Sequence, residues 1–162
     1  MFRSRRMLAS AGRPGWMALG CIAGLLWASP AQAQQAQAAP TKRVFASDAG
    51  MVLNFIKADK TADFEAVMAK LKEALQKSDK PERKQQAATW KVFKSPDQAA
   101  GGNVLYVFMI DPAVKDADYT VSNILAEAFP PEQVNELYKQ YAGAYAQGQN
   151  FVNLALSSDL GK

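Results

Sequence analysis

A short apolar run in the middle of the chain constrains the fold more than any other feature. Residues 104–110 read VLYVFMI, seven apolar side chains between a Gly-Gly pair and an Asp-Pro pair. A run this short, rich in β-branched and aromatic residues, predicts a strand that is buried on both faces. Because side chains alternate along a strand, Tyr106 and Phe108 lie on one face, and Leu105 and Val107 lie on the other. The chain's own helices can cover one face, which leaves open what covers the second.

Residues 1–33 have the pattern of an export signal. A basic start precedes the apolar segment WMALGCIAGLLWA, and Ala31-Gln32-Ala33 forms a small-x-small cleavage site. The apolar segment is shorter than the roughly 20 residues that a membrane-spanning helix needs. We therefore expect cleavage after Ala33, with Ala36-Gln37-Ala38 as a second candidate site, and a periplasmic or secreted mature protein without a membrane span. Ordinary secretion is the favoured route, and the alternatives are a twin-arginine signal at residues 4–8 and lipidation at Cys21.

The leader also accounts for the net charge of +4 and for the single cysteine. It contains four arginines and no acidic residue, so the rest of the chain carries 15 basic and 15 acidic side chains. A neutral body lacks the basic surface that nucleic-acid binding requires. The chain has no histidine, and beyond residue 33 it has no cysteine. This composition excludes disulfides, thiol nucleophiles, histidine-based triads and the usual zinc sites from the mature chain, and we expect neither a metal nor a cofactor.

Hydrophobic periodicity divides the remainder into a spacer and one domain. Residues 34–49, which begin with an Ala/Gln-rich tract, are predicted to form a disordered spacer, and the domain is predicted to span residues 50–162. The predicted strands cover residues 51–57, 88–94, 104–110 and 151–157. The first predicted helix begins near Asp59 or Thr61 and ends by Ser78. Two further helices are predicted for residues 120–129 and 131–147. Residues 79–86 are polar and are predicted to be a connection.

The order strand, helix, strand, strand, helix, strand predicts an α+β fold of the ferredoxin-like βαββαβ type. Such a fold has a four-stranded antiparallel sheet with its helices on one face. Two right-handed crossovers place the first and third strands in the middle of the sheet. These are also the two strands that are apolar on both faces, so the residue pattern and the topology agree.

Residues 50–160 resemble the dimeric α+β barrel superfamily, in particular small secreted bacterial members of unassigned function. The resemblance is carried by MVLNFIKADK followed by TADFEAVMAKL, and by a Tyr-rich helix followed by FVNLALS. It implies a homodimer in which two sheets pack face to face across a two-fold axis. Some members of the superfamily are cofactor-free monooxygenases and others bind haem. The resemblance permits the first activity, and the absence of histidine argues against the second.

Four residues are the candidates for a ligand site, and each also has a structural interpretation. Asn54 and Asn153 interrupt apolar strands that should be antiparallel neighbours, where two amides could orient a ligand or simply bond to each other. Trp90 and Tyr106, with further aromatic residues on three strands, could line an apolar pocket, but such residues are most often core. No catalytic residue is assigned, because no nucleophile–base pair stands out.

Two classes of function remain open at this stage. The favoured one is a homodimeric binding or interaction module without catalytic activity, with a small apolar molecule as a further candidate partner. The alternative is a cofactor-free monooxygenase-like enzyme that acts on a small apolar aromatic substrate. Convergence of the four candidate residues on one open cavity would favour the enzyme.

Overall fold

A computed structural model describes residues 41–161 as an α+β fold with a four-stranded antiparallel open sheet and four helices. The predicted export signal and residues 34–40 of the predicted spacer lie outside these described residues. The strands are β1 (Ala49–Ile56), β2 (Trp90–Gln98), β3 (Val104–Ile110) and β4 (Asn150–Leu154). The helices are α1 (Thr61–Lys77), α2 (Pro81–Thr89), α3 (Val121–Ala128) and α4 (Pro131–Ala144).

The sheet has the strand order β2-β3-β1-β4, and all three pairings are antiparallel. The two strands that are apolar on both faces, β1 and β3, therefore occupy the central positions, where the sequence placed them. Asn54 of β1 lies opposite Tyr106 of β3, and Val52 lies opposite Phe108. Residues that lie directly opposite each other in a sheet point to the same face. The register thus decides which side chains share a surface.

One face of the sheet carries the core. Every second residue of β1, from Gly50 to Ile56, is buried, and β3 buries Tyr106, Phe108 and Ile110 on the same side. The helices cover this face with apolar residues at helical spacing. Among those that are almost fully buried are Phe64, Val67 and Leu71 of α1 and Ile124 and Leu125 of α3.

The segment before β1 packs on the domain, which corrects the expectation of a loose spacer up to residue 49. Phe45 is buried, stacks on Phe151 with ring centroids 4.1 Å apart, and belongs to the core. Its ring occupies the place where a side chain at Gly50 would lie, since a Cβ there would come within 2.0 Å of Phe45 Cδ1. Gly50 therefore permits a close approach rather than marking the start of the domain.

Helix α2 occupies residues that were predicted to be a polar connection and the start of a strand, so that prediction was wrong. The segment has no apolar stripe because its buried side is polar: Arg83 and Gln86 are the two buried residues. The Arg83 guanidinium bonds both oxygens of Glu127, at 3.0 and 2.8 Å, and the carbonyl of Asp118 at 2.6 Å. Charge-assisted bonds of this fork geometry can attach a helix that hydrophobic burial would not.

The connection between β2 and β3 is shorter than predicted, because β2 continues to Gln98 through an irregularity in its pairing after Lys94. The chain then reverses at Gly101 and Gly102, both of which have φ near +70°. Side chains with a Cβ rarely adopt this left-handed conformation, so the Gly-Gly pair suits the reversal.

Candidate functional site

Asn54 is the most completely bonded polar side chain among the four candidates. It is fully buried on the helix-covered face of β1. Its Nδ2 donates to the carbonyls of Val52 and Tyr106, both at 3.1 Å. Its Oδ1 accepts from Tyr145 Oη at 2.9 Å and from Gln149 Nε2 at 2.8 Å. Because both ends of the amide are hydrogen-bonded within the chain, Asn54 connects the segment after α4 to the sheet.

Two tyrosines and a glutamine, all partly buried, complete this network, and no sequence pattern linked them to Asn54. Gln149 Nε2 also lies 2.9 Å from Tyr141 Oη and 2.8 Å from Tyr145 Oη, and its Oε1 accepts from Arg43 Nη1. Tyr145 reaches Asn54 because the chain after α4 forms a bridge with the end of β1. Burial raises the pKa of Tyr141 and of Tyr145 above the usual value, so both remain protonated donors at neutral pH.

Tyr106 joins the core to the surface. Its ring packs 4.7 Å from that of Phe64, and its hydroxyl donates to Glu65 Oε1 at 2.5 Å. Lys94 donates to the same carboxylate oxygen at 2.9 Å. The hydrogen bond from Lys94, followed by the one from Tyr106, lowers the pKa of Glu65, while burial raises the pKa of Tyr106. Neither group is poised as a proton carrier near neutral pH.

Trp90 lies on the helix-covered face but at the edge strand, away from Asn54. Its ring packs edge-on against Phe108 at 5.4 Å and tilted against Tyr119 at 5.5 Å. Its Nε1 is buried, and among the residues that the structure describes it is the only buried side-chain nitrogen or oxygen without a hydrogen-bond partner.

Asn153 is exposed and lies near the edge of the sheet. It pairs with Gly50, four residues along β1 from Asn54, and its Oδ1 accepts from the backbone N–H of Ala46 at 2.8 Å. The two asparagines share a face but do not meet. The structure therefore brings Asn54 beside Tyr106 but does not bring the four candidates to one open cavity.

The opposite face of the sheet is apolar and open. Its side chains alternate with the buried ones, and none of them belongs to the core. The apolar residues on this open face are Ala49, Met51, Leu53, Phe55, Phe93, Leu105, Val107, Met109, Val152 and Leu154, and the polar Asn150 also lies on it. Most are half-buried by their neighbours, and Phe93 is 53% exposed. Among the residues that these strands place there, Lys91 is the only charged one.

Within residues 41–161 no cluster of three or more histidine, cysteine, aspartate or glutamate side chains could hold a metal ion. In the same part of the chain no helix has the length and apolar character needed to cross a membrane. Comparisons with protein-family models, curated proteins and solved structures found no match.

Proposed function

We propose that this chain is an exported interaction module of ferredoxin-like topology that forms a homodimer through the open face of its sheet. The observation that carries the proposal is the composition of that face, on which the strand register places ten apolar side chains, one asparagine and one lysine. Apolar surface of this extent is unfavourable in water and typically marks an interaction site.

A second copy suits this face better than an unrelated partner of opposite charge. No acidic residue is among those that the strand register places on this face, and its one lysine, Lys91, lies on the edge strand β2. In a two-fold dimer the same patch meets itself, so a charge in the middle would oppose its own copy. The central strands contribute only apolar groups to the face, and Leu53 and Val107 lie directly opposite each other. The strand order, with both central strands apolar on both faces, also supports the dimeric α+β barrel arrangement.

The cofactor-free oxygenase alternative is not favoured by any observation of the site. An open cavity lined by Asn54, Trp90, Tyr106 and Asn153 would have supported this enzyme activity. Asn54 and Tyr106 are instead buried and bonded to the chain, and Asn153 is exposed and bonded to the backbone of Ala46.

Phe93→Asp tests the dimer without entering the core, because Phe93 is 53% exposed. We expect the wild-type protein, in the form that its producing cell accumulates, to sediment as a dimer at micromolar concentration. A carboxylate buried in the contact should cost at least about 2 kcal/mol per copy, which for the two copies of a dimer is about 4 kcal/mol or roughly 1,000-fold in affinity. The variant should therefore sediment as a folded monomer.

Tyr138→Asp is the matched control. Tyr138 is 54% exposed, almost the same as Phe93, but it lies on α4. This variant should remain a dimer, and far-ultraviolet circular dichroism should show that both variants are folded. A wild-type protein that sediments as a monomer would refute the proposal, as would equal effects of the two substitutions.

A further inference from the structure

A second apolar surface lies on the helix-covered side, where α1, α2 and β2 meet. It is a cavity of about 390 Å³, a size in the range of about 300–1,000 Å³ that is typical of small-molecule sites. The apolar part of its lining consists chiefly of Met68, Leu71, Leu75, Trp90 and Val92. Val92 pairs with Phe108, so the cavity and the open sheet face lie on opposite sides of the sheet. A ligand here would not compete with the proposed dimer.

Trp90 forms one wall of this cavity. Its ring is held by Phe108 and Tyr119, and its Nε1 is buried without an acceptor within the described chain. A ligand in the cavity would therefore contact the ring of Trp90 rather than its nitrogen, and this large apolar ring would shield an alkyl chain from water.

Lys72 gives the same cavity an unpaired positive charge. It lies on α1 in the lining, is exposed, and takes part in none of the ion pairs of residues 41–161. The adjacent Glu73 is held by Lys70 at 2.8 Å and Lys77 at 2.7 Å, so it is already doubly paired. The charge at this cavity is therefore complementary to an anion.

We propose that this cavity binds a small apolar carboxylate, such as a medium-chain fatty acid. The alkyl chain would lie against Met68, Leu75 and Val92, where it would be removed from water. The carboxylate would supply a negative charge opposite Lys72, which the lining lacks. This proposal is independent of the proposed dimer, because a monomeric chain presents the same cavity.

The test is calorimetric titration of the purified protein with decanoate, alongside 1-decanol and decylammonium. Decanoate should bind with one site per chain, and decylammonium should bind much more weakly or not at all. In a ¹⁵N-labelled sample, decanoate should shift the indole N–H resonance of Trp90, which the Trp90→Phe variant identifies by its loss. Lys72→Gln should weaken decanoate by about two- to fivefold, the effect of losing an exposed ion pair, and leave 1-decanol unchanged.

Ala69→Phe tests whether the ligand occupies this cavity. Ala69 is exposed and contributes to the lining, so a phenyl ring there should fill the space and abolish binding without disturbing the core. Ala66→Phe is the matched control, since Ala66 is exposed on the same helix but outside the lining, and it should bind decanoate as the wild type does.

Three results would overturn the proposal. They are the absence of decanoate binding, equal binding of decanoate and decylammonium, and full binding by Ala69→Phe. Decanoate binding by a chain that ends before Leu156, but not by the full chain, would also contradict it. That result would assign the cavity of the full chain to its own tail, where Leu156 and Leu160 are 85% and 96% exposed.

Discussion

Asn54 illustrates how one polar side chain can be essential in a strand that is otherwise apolar. Its position opposite Tyr106 is set by strand pairing, but its four hydrogen bonds come from three different parts of the chain. Two of these bonds reach Tyr145 and Gln149, beyond the end of α4. The sequence singled out Asn54 because it interrupts an apolar run, and its partners became visible only in the folded chain.

Asn54→Ala should lower the free energy of unfolding by about 2–4 kcal/mol, because it leaves buried partners unsatisfied and creates a cavity. Asn153→Ala should lower it by at most about 1 kcal/mol, because this exposed side chain makes one bond to the backbone. Urea unfolding of the two variants at neutral pH measures both values. Equal losses would show that Asn54 is not the structural residue that its bonds indicate.

At the scale of elements, α2 depends on a charged contact rather than on an apolar face. Arg83 of α2 is 3% exposed and joins Glu127 of α3 through two hydrogen bonds. The hydrogen bond from Arg83 is the main reason why the pKa of Glu127 lies below its usual value of 4.5. Because the pKa is lowered in the folded state, this contact contributes stability above pH 4.5 and loses it as the pH falls through the folded pKa.

Arg83→Met should therefore destabilise the protein by about 2–4 kcal/mol at pH 7, because the Asp118 carbonyl and Glu127 lose their buried donor and keep only Gln86 and Lys80, respectively. Lys80→Met is the control, because Lys80 is 55% exposed and pairs with the same Glu127. It should cost less than about 1 kcal/mol. Urea unfolding at pH 7 and at pH 3 should show that the difference between wild type and Arg83→Met shrinks at the lower pH. If this difference in stability does not change with pH, the stabilising effect of Arg83 does not depend on the ionisation of Glu127, and the prediction is wrong.

At the scale of the whole molecule, the proposed dimer and the proposed export concern different parts of the chain. The dimer rests on the open face of the sheet. Export rests on residues 1–33 alone, which lie outside the described residues.

Protein taken from its producing cell should begin near Gln34, because Ala31 and Ala33 flank the predicted cleavage site. Intact-mass spectrometry measures this N-terminus directly. Ala33→Arg should block cleavage, since the cleavage site requires a small residue there, and Gln34→Arg is a control just beyond it. An uncleaved wild-type chain in the cytoplasm would contradict export.

The amino-acid sequence was sufficient for the α+β class, for both central strands and for most helix boundaries. The central strands β1 and β3 are apolar at almost every position, and α1 has an unbroken apolar stripe, so local burial carries enough information to identify them. The sequence also showed that one sheet face would lack a cover from the chain's own helices. It was insufficient for α2, because Arg83 and Gln86 look like surface residues until Glu127 and the Asp118 carbonyl are placed beside them.

Only the tertiary structure decided which candidate residues meet. The strands of Asn54 and Asn153 were predicted to be antiparallel neighbours, and they are, but the register pairs Asn153 with Gly50 and leaves Asn54 to Tyr145 and Gln149. The cavity beside Trp90 likewise combines residues from α1, α2 and β2. Hydrophobic periodicity records whether each residue is buried, whereas hydrogen-bond partners and cavity linings depend on strand register and on how helices pack. These are long-range properties, and no local stretch of sequence contains them.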